Sequence, residues 1–345
     1  MEHTIIAVDL AKSVFQIAVS RRPGHVDEER RLSRDRFLVF FAQQPPATVV
    51  LEACGSAHYW ARQLQPLGHT VRLLPAHDVH RYVRRNKTDR TDTKGLLEAN
   101  RNDEIHPVPV KTIEQQAIAS LHRLRSTWLA TRTARLNTVR GLLRAFGVVI
   151  PVGAHQVVPR VRALLEASDA STAVPVVLRS TLAEACDEIG VLETHMHGVE
   201  RQLAALARQL PDVDLLQSVP GVGVLTATAL VALVGNIRRF PTGRHFASFL
   251  GLTPREESSG LRRRLGAISK QGDVYVRMLI IHGARSCLWR AKGCATPDRL
   301  QTWALTTQRR RGHNVAAVAV ANKLARIVWA VWTQQRPFSA EHRTA

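Results

Sequence analysis

Two strand-length apolar runs, each closed by an acidic residue, constrain this chain most. Thr4-Ile-Ile-Ala-Val-Asp9 and Thr48-Val-Val-Leu-Glu52 are too short for typical helices and rich in β-branched residues, so each reads as a buried strand. Residues 14–20 and 25–32 supply two more strands, the first in hairpin order after Asp9, and 70–74 a fifth. Residues 35–43 and 57–67 have helical spacing. This alternation predicts an α/β domain with a mixed sheet over residues 1–110. A charge closing a buried strand needs a partner or a use, because an unpaired buried charge is expensive. Asp9 and Glu52 are therefore the first candidate functional residues.

Asp89 and Asp92 stand three apart in Asn86-Lys-Thr-Asp-Arg-Thr-Asp-Thr-Lys94, at the expected start of a helix, where that spacing aims both the same way. Two strand-end carboxylates and a helical pair converging on one sheet edge would repel one another at neutral pH and favour bound divalent cations. Two magnesium ions, with manganese able to substitute, would then orient a nucleophile and stabilise a leaving oxygen in phosphodiester chemistry. Taken singly, a strand-end Asp is ordinarily a turn or cap residue; the set of four carries the metal reading. Lys12, three residues beyond Asp9, is either a contact to the scissile phosphate or a plain surface lysine.

The net charge of +20 is unevenly placed: residues 216–345 hold 20 Lys/Arg against 5 Asp/Glu. Solubilising surfaces mix both signs, so this asymmetry points to nucleic acid. Cys54, Cys186, Cys287 and Cys294 lack the spacing of a zinc site or a disulfide framework. No stretch reaches the roughly 18 apolar residues that cross a bilayer, the best candidate being 222–235. The N-terminus lacks the basic region and apolar core of a secretory signal. The expectation is a cytoplasmic protein without a membrane partner.

Residues 113–146 read as one helix whose polar positions are basic (Arg123, Arg125, Arg132, Arg135, Arg140, Arg144), suiting either a phosphate backbone or a solvated face. Between Pro175 and Pro211, Leu182, Ile189, Met196, Leu203 and Leu210 recur every seven residues, with Ala185, Leu192, Val199 and Leu206 three later. That is a coiled-coil seam, whose partner is helix 113–146 or a second protomer. Residues 111–212 are thus expected to form a helical coiled-coil middle serving oligomerisation. Residues 213–345 are expected to be mainly helical. Within them Pro220-Gly-Val-Gly223 before an Ala/Leu-rich helix has the form of a helix-hairpin-helix, in which Gly221 and Gly223 let backbone amides approach a phosphate. The loop Glu257-Ser-Ser-Gly-Leu-Arg-Arg-Arg264 sets hydroxyls beside Arg262, Arg263 and Arg264, with Lys270 further on. A serine there is a potential nucleophile, although a Ser-Gly in a loop is ordinarily just a loop.

Together these segments resemble one family, the DEDD (Piv-like) transposases of bacterial insertion-sequence family one-ten. The resemblance rests on Ala7-Val-Asp-Leu-Ala-Lys12, Glu52-Ala-Cys-Gly55, Asn86-Lys-Thr-Asp-Arg-Thr-Asp92, Pro220-Gly-Val-Gly223, Phe246-Ala-Ser-Phe-Leu-Gly-Leu-Thr-Pro254, Ser259-Gly260 and His282-Gly-Ala-Arg285. Cys54 and Thr93 depart from the residues expected there, and neither would hold metal. The resemblance implies a RuvC-like (ribonuclease H-like) domain binding magnesium through Asp9, Glu52, Asp89 and Asp92. It also implies a C-terminal transposase domain whose nucleophile maps to Ser259, with the adjacent Ser258 as the alternative. It further implies DNA substrates contacted through Lys12, Lys87 and the C-terminal basic residues, and a dimer or tetramer in a bacterial, nucleoid-associated setting. A structured guide RNA made from the element would pair with donor and target DNA. Two other readings remain: a magnesium-dependent junction-resolving nuclease that uses water, and a non-catalytic helix-hairpin-helix DNA-binding protein.

Overall fold

The computed structural model describes residues 4–83, 88–167 and 174–340 and divides the chain into two compact units, Met1–Thr112 and Ile113–Ala345. The first runs β1 (Ile5–Leu10), β2 (Val14–Ser20), β3 (Glu28–Ser33), α1 (Arg34–Ala42), β4 (Thr48–Glu52), α2 (Ala57–Leu64), β5 (Thr70–Leu74), the single turn α3 (Ala76–Val79) and α4 (Asp89–Ala99). The five strands form one sheet in the order β3-β2-β1-β4-β5. The β1–β2 and β2–β3 pairs are antiparallel, while β1–β4 and β4–β5 are parallel. The sheet is therefore mixed, and β1 lies at its centre.

Both faces of this sheet are covered, which is why its central strands are apolar almost throughout. On one face Ile6, Val8, Phe15, Ile17, Val49 and Leu51 pack with α1 and α2 around Phe37, Phe41 and Trp60. Phe15 meets Phe37 edge-on at 4.7 Å. On the other face Ala7, Ala18, Val50 and Leu74 meet Leu96, Leu97 and Ala99 of α4. Small residues at positions 7 and 18 let α4 approach closely. Its N-terminus is closed by a capping box between Thr88 and Thr91.

The second unit runs α5 (Ile113–Ala145), α6 (Val157–Glu166), α7 (Val176–Ala207), α8 (Pro211–Gln217), α9 (Val224–Val234), α10 (Gly243–Phe249), β6 (Pro254–Glu256), β7 (Leu265–Ile268), α11 (Val274–Lys292), α12 (Arg299–Arg311) and α13 (His313–Gln334). The seam of α7 packs on α5 of the same chain. Leu182, Ile189, Leu192, Met196, Val199 and Leu203 are buried. Arg125 Nε donates to Glu200, Arg132 Nε to Glu193 and Arg135 Nε to Glu188, each at 2.7 Å. Partner numbers fall along α7 as they rise along α5, so the helices run antiparallel. These three arginines, read above as suited to phosphate or solvent, are instead ion-paired within the chain. Arg140 donates to the carbonyls of Pro151 and Gly153; Arg123 and Arg144 remain exposed.

Helices α8 to α13 bury the largest core of the unit, from Val213 to Trp332. Helix α13 corrects one sequence expectation. It is long and apolar enough by length and composition to cross a membrane, whereas the sequence expectation has no stretch of that kind. More than half of its apolar window is buried here, with Ala316, Val320, Leu324 and Val328 facing neighbouring helices, as in a central core helix.

Candidate active site and nucleic-acid interface

The β1–β4 register runs from Ile5 opposite Thr48 to Val8 opposite Leu51. One residue further on, Asp9 and Glu52 stand side by side at the ends of adjacent parallel strands. Alternation from Ala7 and Val50 turns both carboxylates to the α4 face. On that face a single row crosses the sheet, because Arg31 pairs with Gln16, Gln16 with Asp9, and Glu52 with Leu74. Gln16 is buried at 5% exposure and accepts from Arg31 Nε at 3.2 Å. Asp9, Glu52 and Asp92 are partly buried, and Asp89 is exposed.

Asp89 and Asp92 open α4, which packs across β1, β2 and β4. Ion pairs to β3 fix this end of the helix: Arg31 to Asp89 at 3.5 Å, and both Arg90 and Lys94 to Glu29. Arg31, Gln16 and Glu29 were absent from the sequence reading. Alternation along β2 and β3 puts them on the α4 face, and that was the available signal. All four predicted acids thus belong to one face and one helix end. They form a strand pair and a helix pair; among the described residues no three His, Cys, Asp or Glu side chains close on one point. Four carboxylates are the hard oxygen donors that magnesium and manganese take, so the donor set suits such an ion. Lys12 is exposed in the β1–β2 turn. Lys87 lies outside the described residues.

The serine segment, read from sequence as a flexible loop, is a β-hairpin. Strands β6 and β7 pair antiparallel, and Ser259 and Arg262 bridge at the tip, each amide donating to the other's carbonyl at 3.2–3.3 Å. Only Gly260 and Leu261 lie between them, and Gly260 takes φ +56°. Glycine in the first central position is what a two-residue hairpin turn of type II′ prefers. The two serines differ sharply. Ser258 Oγ donates to Glu256 at 2.8 Å and accepts from the Arg264 amide at 3.1 Å. Ser259 Oγ makes no hydrogen bond among the described residues and is exposed beside Arg262, Arg263 and Arg264. Of these, Arg263 pairs with Glu256 at 3.3 Å.

The base of the hairpin is closely packed. A Cβ on Gly251 would lie 2.5 Å from the Gln271 carbonyl, and one on Gly272 would lie 2.2 Å from that of Phe249. Buried Arg277 donates to the carbonyls of Leu250 and Gly272 at 3.3 Å. Arg277 was not anticipated, since nothing in a basic helix marks which arginine turns inward. Lys270 sits at φ +56° with its amide donating to Gly251.

Gly221 and Gly223 behave differently from each other. Gly221 has φ +81°, and a Cβ there would lie 2.6 Å from the Gly283 carbonyl of α11. Its missing side chain is thus accounted for by close backbone packing within the core. Gly223 is exposed, precedes α9 as its N-cap, and has open space around it.

Comparison with known proteins decides the family. A DEDD transposase model of the IS110 group matches residues 6–147, and the IS116/IS110/IS902 transposase family model matches residues 213–299. A probable family 20 transposase of Pseudomonas aeruginosa is 44% identical over 333 residues, covering 96% of this chain and 97% of that protein. The chain belongs to the IS110 transposase family. The transposase of insertion sequence element IS1111A from Coxiella burnetii is 37% identical over 336 residues, 97% of this chain and 91% of that protein. A pilin gene-inverting protein of Moraxella lacunata is 26% identical over 148 residues, 41% of this chain and 44% of its own. As an IS110-family transposase, the protein is an enzyme of DNA recombination, and DNA is its partner. Membership of the DEDD group also implies use of a divalent metal.

Proposed function

We propose that this transposase cuts and rejoins DNA through a covalent seryl–phosphate link, with Ser259 as nucleophile and Asp9, Glu52, Asp89 and Asp92 as ligands of two magnesium ions. The observation that carries it is the hairpin tip, where Ser259 keeps an uncommitted hydroxyl beside three arginines while Ser258 is tied to Glu256 and the Arg264 amide. In the cleaving step the Ser259 Oγ–phosphorus bond forms as the phosphorus–3′-oxygen bond breaks. The serine proton passes to solvent and the departing oxygen takes one up. Attack by a 3′-hydroxyl on the seryl phosphate reverses this and joins the strands. Arg262 and Arg264 hold the phosphate oxygens, and the clamped base keeps the serine from wandering. When bound, the metal ions supply charge for the phosphate and the leaving oxygen.

The mixed sheet of order 3-2-1-4-5, with acids closing its two central parallel strands, supports a RuvC-like (ribonuclease H-like) assignment for residues 1–110. The antiparallel α5–α7 pair supports the coiled-coil middle of 111–212. The α8–Pro220-Gly-Val-Gly223–α9 segment supports a helix-hairpin-helix in 213–345, with the exposed Gly223 facing phosphate. Lys12, Lys87 and Lys270 are proposed as further backbone contacts, and a structured RNA and a dimer or tetramer as partners.

The test is a search for a protein–DNA adduct. The chain is co-expressed with its native flanking DNA, given magnesium and joined element ends, and run on a denaturing gel beside Ser259→Ala, Ser258→Ala and Asp92→Ala. We expect a protease-sensitive, slow-migrating DNA band that survives Ser258→Ala and vanishes in the other two. Cleavage without an adduct in Ser259→Ala would make the enzyme a hydrolytic nuclease instead.

A further inference from the structure

The outward stripe of α11 is not apolar, acidic or mixed. His282, Arg285, Trp289 and Lys292 follow at steps of three, four and three, the spacing of one helix face, and all four are exposed. Trp289 is 77% exposed, although a tryptophan ordinarily buries most of its surface. The stripe ends at a cleft of about 320 Å³ between α11 and α12, lined by Lys292, Leu305, Gln308 and Arg309. Gln308 Nε2 lies 2.8 Å from His313 Nδ1, and Arg285 donates to Asn314 Oδ1 at 3.4 Å, so the first turn of α13 continues the same patch. Between residues 274 and 340 the only acid is Asp298. Its carboxylate already accepts from the Gln301 amide at 2.7 Å as an N-cap.

An exposed aromatic ring flanked one turn either side by cations is what unpaired nucleic acid uses: the ring stacks a base and the cations take the phosphates beside it. A protein partner would more often meet an apolar surround, and duplex DNA keeps its base faces stacked away. We propose that α11 is a strand platform: Trp289 stacks an unpaired base of the DNA opened during recombination, Arg285 and Lys292 hold its backbone, and the Lys292–Gln308–Arg309 cleft takes a neighbouring phosphate. The proposal rests on the chain's action on DNA and is independent of which residue is the nucleophile.

The test measures binding, not cleavage, so failure of the serine mechanism would not disturb it. Fluorescence anisotropy follows a labelled single-stranded DNA of about 12 nucleotides, its duplex, and an RNA of the same sequence on the full chain. Trp289→Ala should weaken single-strand binding about tenfold, Trp289→Phe should restore most of it, and the duplex should change little. Lys292→Gln with Arg309→Gln should flatten the slope of log affinity against log salt by roughly 1.4 for two lost single-strand contacts. Melting curves of each variant matching the parent would confine the effect to the surface. Equal losses on duplex and single strand, or a Phe variant as weak as Ala, would overturn stacking. Tighter binding of the RNA, with a larger loss on Trp289→Ala, would overturn the assignment to DNA.

Discussion

His122 shows how far a single side chain can be committed by its surroundings. It is 4% exposed where α5, α9 and α11 meet, its Nε2 2.9 Å from Thr228 Oγ1 and its Nδ1 3.1 Å from the Tyr275 hydroxyl. Burial, aided by the nearby Arg125 charge, brings its pKa down from 6.5 to about 4. The imidazole is therefore neutral in the folded protein at pH 5, while in the unfolded chain it is protonated. Between about 6.5 and 4 the unfolded state binds the extra proton, so stability falls as pH falls across that window and is independent of this group above it. The loss reaches up to about 3 kcal/mol at pH 4. Urea unfolding at a series of pH values should show this slope, and His122→Gln should be less stable at pH 7 but flatter below 6.5. A variant with the parent's slope would place the acid sensitivity elsewhere, with His58, also brought down to about 4 by burial and by Lys111 and Arg62, as the next group to replace.

At the scale of elements, what the sequence made legible depended on whether periodicity or partner choice decided the structure. The five strands and the helices at 34–42 and 57–64 follow from apolar runs whose lengths and alternation admit one reading, and Asp9 and Glu52 were visible because they break such runs. The seam of α7 was equally visible, but a heptad says only that a partner exists. Its identity came from Arg125, Arg132 and Arg135 meeting Glu200, Glu193 and Glu188, pairs sixty or so residues apart that no local pattern links. The β6–β7 hairpin escaped because its strands are only three and four residues long and almost wholly solvent-exposed, too short to show alternation, and the arginines that drew attention lie between them. Within α7 the same distinction predicts energetics. Ile189→Ala, at a fully buried seam position, should lower stability by about 2–5 kcal/mol, read as a fall in denaturant midpoint. Arg135→Ala should leave that midpoint nearly unmoved, because the exposed Arg135–Glu188 pair is screened by water.

For the molecule as a whole, a net charge of +20 is less informative than which charges remain available. Three arginines of α5, Arg125, Arg132 and Arg135, are neutralised by glutamates of α7, so the long helix adds less to the field sensed by DNA than its sequence suggests. The hairpin arginines are exposed, and among the described residues only Arg263 has an acid partner. Each phosphate contact releases condensed counterions, giving a slope of about −0.9 per contact in log affinity against log salt for duplex DNA. Replacing Arg262, Arg263 and Arg264 together with Gln should therefore flatten that slope by roughly 2–3, the lower figure applying if Arg263 stays with Glu256. Arg132→Gln should leave the slope unchanged and lower only stability, since that guanidinium is already occupied by Glu193. Anisotropy titrations of one DNA duplex at several salt concentrations separate the two. A hairpin variant with an unchanged slope would mean that the three arginines do not touch the backbone, and a flattened slope for Arg132→Gln would mean that the α5–α7 pair opens on DNA.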